Sequence, residues 1–163
     1  MKVSREDAGA VMTYDVPAAR SVAWSYWTEP GLRATWQPGV KRIDESTSDG
    51  RRGAGTRNHC VHGKDVVLEE VLDWRPFDYY TVELRPPMPY LKPVRITFEL
   101  EDTPEGTRVT ELMAPSPGFG QRLAFAMLAR MIKGKTPQAQ ESLRSALSAA
   151  AGTSTADARP DGG

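Results

Sequence analysis

Apolar positions alternate through the middle of the chain and recur at helical spacing towards its end. In "AVMTYDV" (Ala10 to Val16), Met12, Tyr14 and Val16 share one side and Thr13 and Asp15 the other, the pattern of a half-buried strand. Pro17 suits the first position of a helix, and "AARSVAWSYW" follows with Val22, Tyr26 and Trp27 at helical spacing. A second short helix is expected to start at Pro30 and end near Trp36. Strand-length runs then succeed one another: "GVKRIDEST", "GTRNHCVH", "DVVLEEVLDW", "DYYTVELR", "VRITFELE" and "TRVTELMA". The breaks between them, "SDGRRG", "GK", "RPF", "PPMPYLKP" and "DTPEG", carry turn chemistry. The segment "GFGQRLAFAMLARMIKGKTPQAQESLRSALSAA" reads as a long helix. Leu123, Met127, Arg130 and Met131 share a stripe that Leu143 and Leu147 continue, and Pro137 is expected to kink or divide it.

This order predicts an α+β fold, a strongly curved antiparallel sheet of about seven strands wrapped round the C-terminal helix, with two short helices after strand 1. Such a sheet can leave a cavity under the helix. Residues 1–9 are expected to be a flexible lead-in, 10–150 the folded domain, and 151–163 ("AGTSTADARPDGG") a disordered tail.

"NHCVHGKD" (Asn58 to Asp65) gathers both histidines and the only cysteine. Gly63-Lys64 suits a type II′ hairpin turn, which sets the pairing: His62 opposite Asp65, Cys60 opposite Val67, Arg57 opposite Glu70. Alternation places Arg57, His59, Val61, Val66, Leu68, Glu70, Leu72 and Trp74 on one face and Asn58, Cys60, His62, Val67, Glu69 and Val71 on the other. The first face carries the larger apolar side chains and is assigned to the concave interior. His59 and Cys60/His62 then point to opposite sides, so they cannot converge on one metal, and no metal or other cofactor is expected. A nucleophilic Cys60 lacks a helix N-terminus or neighbouring base to activate it.

The candidate site is therefore Arg57, His59 and Glu70, with Arg57 and Glu70 paired because an isolated buried charge is expensive. They either secure register or orient a ligand. The expected ligand wall is completed by Leu68, Leu72, Trp74, Tyr80, Val82, Ile96, Phe98, Leu123 and Met127. Alternation leaves open whether Glu111 faces inward. The loops "PPMPYLKP" and "APSPGFG" are candidates for an entrance, and Arg130, Lys133 and Lys135 read as a modest solvated basic patch.

The 163 residues suffice for one domain, with 39% hydrophobic and 26% charged positions. Lys plus Arg and Asp plus Glu are each 21, which argues against a general binder of nucleic acid or anionic membrane. One cysteine forbids an internal disulfide, the N-terminus lacks a signal-peptide core, and no apolar run approaches the ~20 residues a bilayer requires. A cytoplasmic monomer or homodimer without stable membrane insertion is expected.

The sequence resembles the START-like, SRPBCC superfamily, within it the polyketide cyclase/dehydrase and lipid-transport group. The likeness rests on "DVPAARSVAWSYWTEPGLRATWQPGV", "GAGTR" (Gly53 to Arg57), "VLEEVLDWRP" (Val67 to Pro76) and "GTRVTELM", and spans about 10–150. It implies the helix-grip fold with a deep apolar cavity under the C-terminal helix. Oxygenase members hold iron through two histidines and a carboxylate, whereas both histidines here lie on opposite faces. The leading expectation is carriage or sensing of a small hydrophobic molecule, such as a lipid or polyketide. The alternatives are a cyclase or dehydratase, with His59 as general base and Arg57 stabilising an enolate oxygen, and an interaction module acting through "PPMPYLKP".

Overall fold

The computed structural model describes residues 1–47 and 50–156. Seven strands form one antiparallel sheet in the order β1-β7-β6-β5-β4-β3-β2. They are β1 (Ala10–Val16), β2 (Arg42–Ser46), β3 (Arg57–His62), β4 (Asp65–Arg75), β5 (Tyr79–Arg85), β6 (Val94–Thr103) and β7 (Gly106–Ala114). The helices α1 (Arg20–Thr28) and α2 (Pro30–Trp36) follow β1, and α3 (Phe119–Ala156) closes the chain. This is the expected helix-grip architecture.

Local chemistry accounts for the boundaries. Pro30 opens α2, but Pro17 does not open α1, which starts three residues later at Arg20. Gly63 has a φ of 65° and Lys64 does not share the positive sign, as a II′ turn demands. The predicted pairing follows through the whole hairpin, from His62 opposite Asp65 through Cys60 opposite Val67 to Arg57 opposite Glu70. Gly106 (φ 140°) starts β7 where a Cβ would lie 2.2 Å from the Val16 carbonyl oxygen, so only glycine lets the strand approach β1 there. Pro137 lies inside α3, which continues on both sides of it. The segment expected to be a tail from Ala151 is helical to Ala156; residues 157–163, like Ser48 and Asp49 of the "SDGRRG" turn, lie outside the described residues.

The core lies between the concave face and the helices. Tyr14 meets Trp27 and Trp36 edge-on at 5.5 and 5.8 Å, and Tyr80 stacks on Phe98 at 4.7 Å. Two polar ends are satisfied within it: Tyr80 donates from its hydroxyl to the Trp27 carbonyl, and Trp36 donates from Nε1 to the Tyr26 carbonyl. Leu72 is left out of the β4–β5 pairing, which shifts between Val71 and Asp73. This bulge changes the parity of β4, so Trp74 joins Val71 on the inner side and packs on Trp24 at 4.9 Å.

Residues 1–9 lie along the outer face, where the sequence suggests a loose lead-in. Val3 is buried and donates its N–H to Thr97 Oγ1 at 2.8 Å, while Lys2 pairs with Glu99. Thr97 and Thr81 share a further hydrogen bond beneath it. Val3→Ala is expected to cost about 1–3 kcal/mol in chemical denaturation, the range for truncating a buried aliphatic side chain; a free lead-in would give no change.

Candidate functional site

A cavity of about 510 Å³ opens between the concave face and α3. Its sheet wall comes from Cys60, His62, Val67, Glu69, Leu84, Ile96, Phe98 and Glu111. Tyr14, Trp27, Arg33 and Trp36 close the inner end, and Leu128, Met131, Ile132, Lys135, Thr136 and Ala139 of α3 form the other side. Pro86, Pro87 and Met88 of the β5–β6 loop border it, so that loop stands at the cavity as an entrance would.

The hairpin register is as the turn predicts, but its faces are reversed. Arg57, His59 and Leu68 are exposed, Leu68 at 42%, and Glu70 is half-buried on the convex side; Leu72 sits at the bulge. Arg57 and Glu70 do pair, at 3.4 Å, with 65% and 38% of their side chains exposed. Apolar bulk misleads here because the inner face of β3 and β4 borders an open cavity and a buried ion pair, and neither requires large aliphatic side chains. Of the other expected wall residues, Ile96 and Phe98 line the cavity, whereas Tyr80, Val82 and Trp74 pack in the adjoining core. Leu123 and Met127 point to solvent; the cavity side of α3 runs through Leu128, Ile132 and Thr136 instead.

The buried ion pair uses the neighbouring carboxylate, Glu69 in place of Glu70, and an arginine from a different element. Arg33 of α2 holds Glu69 through both guanidinium branches, Nη1 to Oε1 at 2.8 Å and Nη2 to Oε2 at 3.0 Å. Asn58 Nδ2 donates to the same carboxylate at 2.9 Å. Only 5% and 4% of the two side chains is exposed. Burial opposes both charges, but the pairing overrides it: Glu69 is held below the usual carboxylate range and Arg33 above its ordinary value. Sequence reading misses Arg33, since a short helix gives no sign of which strand its arginine meets.

Glu111, left open by alternation, faces the cavity and is buried there. Burial, reinforced by the Glu69 charge, pushes its carboxyl up to about 7, against a lowering by Arg33 and by a hydrogen bond with Tyr14. Burial also raises the Tyr14 and Tyr80 hydroxyls, so both stay protonated. The Cys60 thiol is pushed up to about 11 by burial, which makes it a poor nucleophile. His62 is lowered, first by burial and then by Lys135 and Arg33, and is neutral at neutral pH. Thr136 Oγ1, on the cavity wall, is buried beside the Tyr14 hydroxyl. Among the described residues no three His, Cys, Asp or Glu side chains converge as metal ligands would. The site is thus a mostly apolar chamber holding the buried Glu111 carboxyl, the buried Thr136 hydroxyl and a neutralised ion pair, with the less buried His62, Asp65 and Lys135 also on its lining.

No protein of curated function matches the sequence. Solved structures do. A Mesorhizobium loti protein superposes with a TM-score of 0.66 at 20% identity, covering 85% of this chain and 96% of its own. A Nitrosomonas europaea protein gives 0.65 at 19%, covering 88% and 99%. DynU16, from the dynemicin biosynthetic locus, gives 0.63 at 18%, covering 83% of this chain and 46% of its own. At these identities the likeness is one of fold. The model of the family described as "Polyketide cyclase / dehydrase and lipid transport" matches residues 8–148. With the helix-grip sheet and the chamber beneath α3 in place, the chain belongs to the polyketide cyclase/dehydrase and lipid transport family.

Proposed function

We propose that the protein binds one small hydrophobic molecule in the chamber beneath α3 and carries or senses it. The observation that carries this reading is the open, mostly apolar space of about 510 Å³ with the buried carboxyl of Glu111 on its wall. Small-molecule sites are typically roughly 300–1,000 Å³, apolar, with a few placed polar groups. Burying roughly 300 Å² of apolar ligand surface would contribute about 7 kcal/mol before the entropic costs of association. Glu111 and Thr136 would set orientation. A protonated carboxyl beside a hydroxyl suits a ligand hydroxyl or carbonyl.

The test is a titration with the neutral fluorophore N-phenyl-1-naphthylamine, joined to native mass spectrometry of the purified protein for a co-purified apolar compound. Val67→Trp, which fills the wall of the cavity, is expected to weaken the probe at least about tenfold, or roughly 1.4 kcal/mol, with an unchanged circular dichroism spectrum. Probe binding indifferent to that substitution would end the reading.

A second reading is favoured by Glu111 itself. A carboxyl poised near neutrality inside an apolar chamber is suited to move a proton on an enolisable, polyketide-like substrate. In that role it replaces His59, which lies on the outer face. Glu111→Gln would then abolish turnover while leaving binding within about twofold; a carrier would show no turnover to lose.

A further inference from the structure

We propose that the N-terminal half of α3, with the β5–β6 loop beside it, docks on an anionic lipid surface. The inference goes beyond ligand binding and stands on the outer side of the helix. Phe119, Leu123, Met127 and Met131 follow one another at four-residue intervals and are 89%, 63%, 69% and 52% exposed. A four-residue step advances about 40° round a helix, so the stripe sweeps about 120°, a full amphipathic face left without a partner. Tyr90, 65% exposed, stands next to it, because Gln121 donates from Nε2 to the Tyr90 carbonyl and accepts from the Lys92 N–H. Among the described residues these five make up nearly half of the eleven large hydrophobic side chains that are exposed, so the exposure is concentrated on one patch.

Charge selects the occupant. From Phe119 to Gln140 the helix carries Arg122, Arg130, Lys133 and Lys135 and no acidic residue, and Lys92 lies in the loop. The whole chain is balanced at 21 and 21, so this local excess is offset elsewhere. Arg130 and Lys133 fall beside the apolar stripe, on the flank turned away from the sheet. Apolar side chains flanked by cations describe a helix lying in a lipid interface rich in acidic headgroups. A second copy of this chain would bring the same cations against themselves, with no carboxylate between Phe119 and Gln140 to receive them. Met131 belongs both to the stripe and to the cavity wall, as Lys135 does to the basic set and the wall. The docked face therefore brings the chamber's border to the lipid. No helix of the described residues is long and apolar enough to cross a membrane, so the contact is peripheral.

The experiment is co-sedimentation of the full chain with vesicles of phosphatidylcholine alone and vesicles enriched in phosphatidylserine. Binding is expected to the second kind and to weaken as salt rises. Leu123→Asp with Met127→Asp should abolish it, and Arg130→Glu with Lys133→Glu should weaken it by about tenfold or more. All four positions are on the surface, so circular dichroism and binding of N-phenyl-1-naphthylamine in solution should be unchanged. Failure of docking is thereby separate from failure of the cavity reading. Absence of binding to the acidic vesicles, or equal binding to both kinds, overturns the proposal. So does a dimer in solution that the Leu123→Asp and Met127→Asp pair dissociates, which would make the face a self-association surface.

Discussion

Arg33→Ala is expected to destabilise the protein by about 3–5 kcal/mol at neutral pH, the range for removing one partner of a buried ion pair. The Glu69 carboxylate, 4% exposed in the wild type, would keep the Asn58 amide as a hydrogen-bond donor but lose both bonds from the arginine. The loss should depend on pH in a defined direction. In the wild type Glu69 is held below its unfolded value, so its pairing stabilises above that value and is lost as pH falls. Without Arg33, burial, the largest influence on the group, outweighs the remaining Asn58 hydrogen bond and raises the carboxyl. The variant then loses stability as pH rises, and the gap between the two proteins widens from acid to neutral. Arg33→Met with Glu69→Leu, which removes both charges together, should recover most of the loss. Arg57→Ala is the matched control. Its pair with Glu70 is exposed and worth no more than about 1 kcal/mol. Denaturant midpoints measured across pH decide the matter: equal costs at the two arginines would mean that water reaches Glu69.

That contrast also shows what the sequence could and could not convey. Pairing register in β3–β4 depends on local chemistry, a glycine with positive φ in a two-residue loop, and it is legible from eight residues. The element order is legible for the same reason, since alternation, turn residues and Pro30 act within a few positions of where they stand. Facing is a different matter. Which side of a strand turns inward depends on what another element brings to it, and here α2 brings Arg33 to Glu69 across 36 positions. A rule that sends aliphatic bulk inward fails where the interior is a chamber. It then selects Leu68 and Val66, each 42% exposed, over Asn58, Cys60 and Glu69, which the protein buries. The bulge at Leu72 is equally non-local, and it returns Trp74 to the interior despite a parity that would have taken it outside together with Glu69's neighbours. On α3 the wide apolar set admits two facings, and packing against the sheet chooses Phe125, Leu128 and Leu143 over Leu123 and Met127.

Glu111→Gln is expected to stabilise the folded protein in alkaline solution and to leave it unchanged in acid. Burial raises the Glu111 carboxyl from 4.5 to about 7 in the fold. Below 4.5 it is protonated in both states and contributes no pH dependence. Between those values the unfolded chain has released the proton while the folded chain keeps it, so the unfolded state binds fewer protons and stability falls as pH rises. Above about 7 the folded carboxyl ionises too and the penalty is complete, roughly 3 kcal/mol for a displacement of this size. Glutamine keeps the shape and the hydrogen bonding of the protonated acid and cannot ionise. The stability difference between variant and wild type should therefore rise from about zero near pH 4 towards roughly 3 kcal/mol by about pH 8, half of it gained near pH 6. Glu69, held below its ordinary value, is already ionised over this range in both proteins, so its own titration adds nothing to the difference. A flat difference would mean that Glu111 is solvated and is not the cavity's reserved group. The two carboxyls are also coupled, because the Glu69 charge raises Glu111 while Arg33 lowers it. Glu111→Gln should accordingly rescue more stability in an Arg33→Ala background than in the wild type, a non-additivity that arises only if both groups face the same chamber.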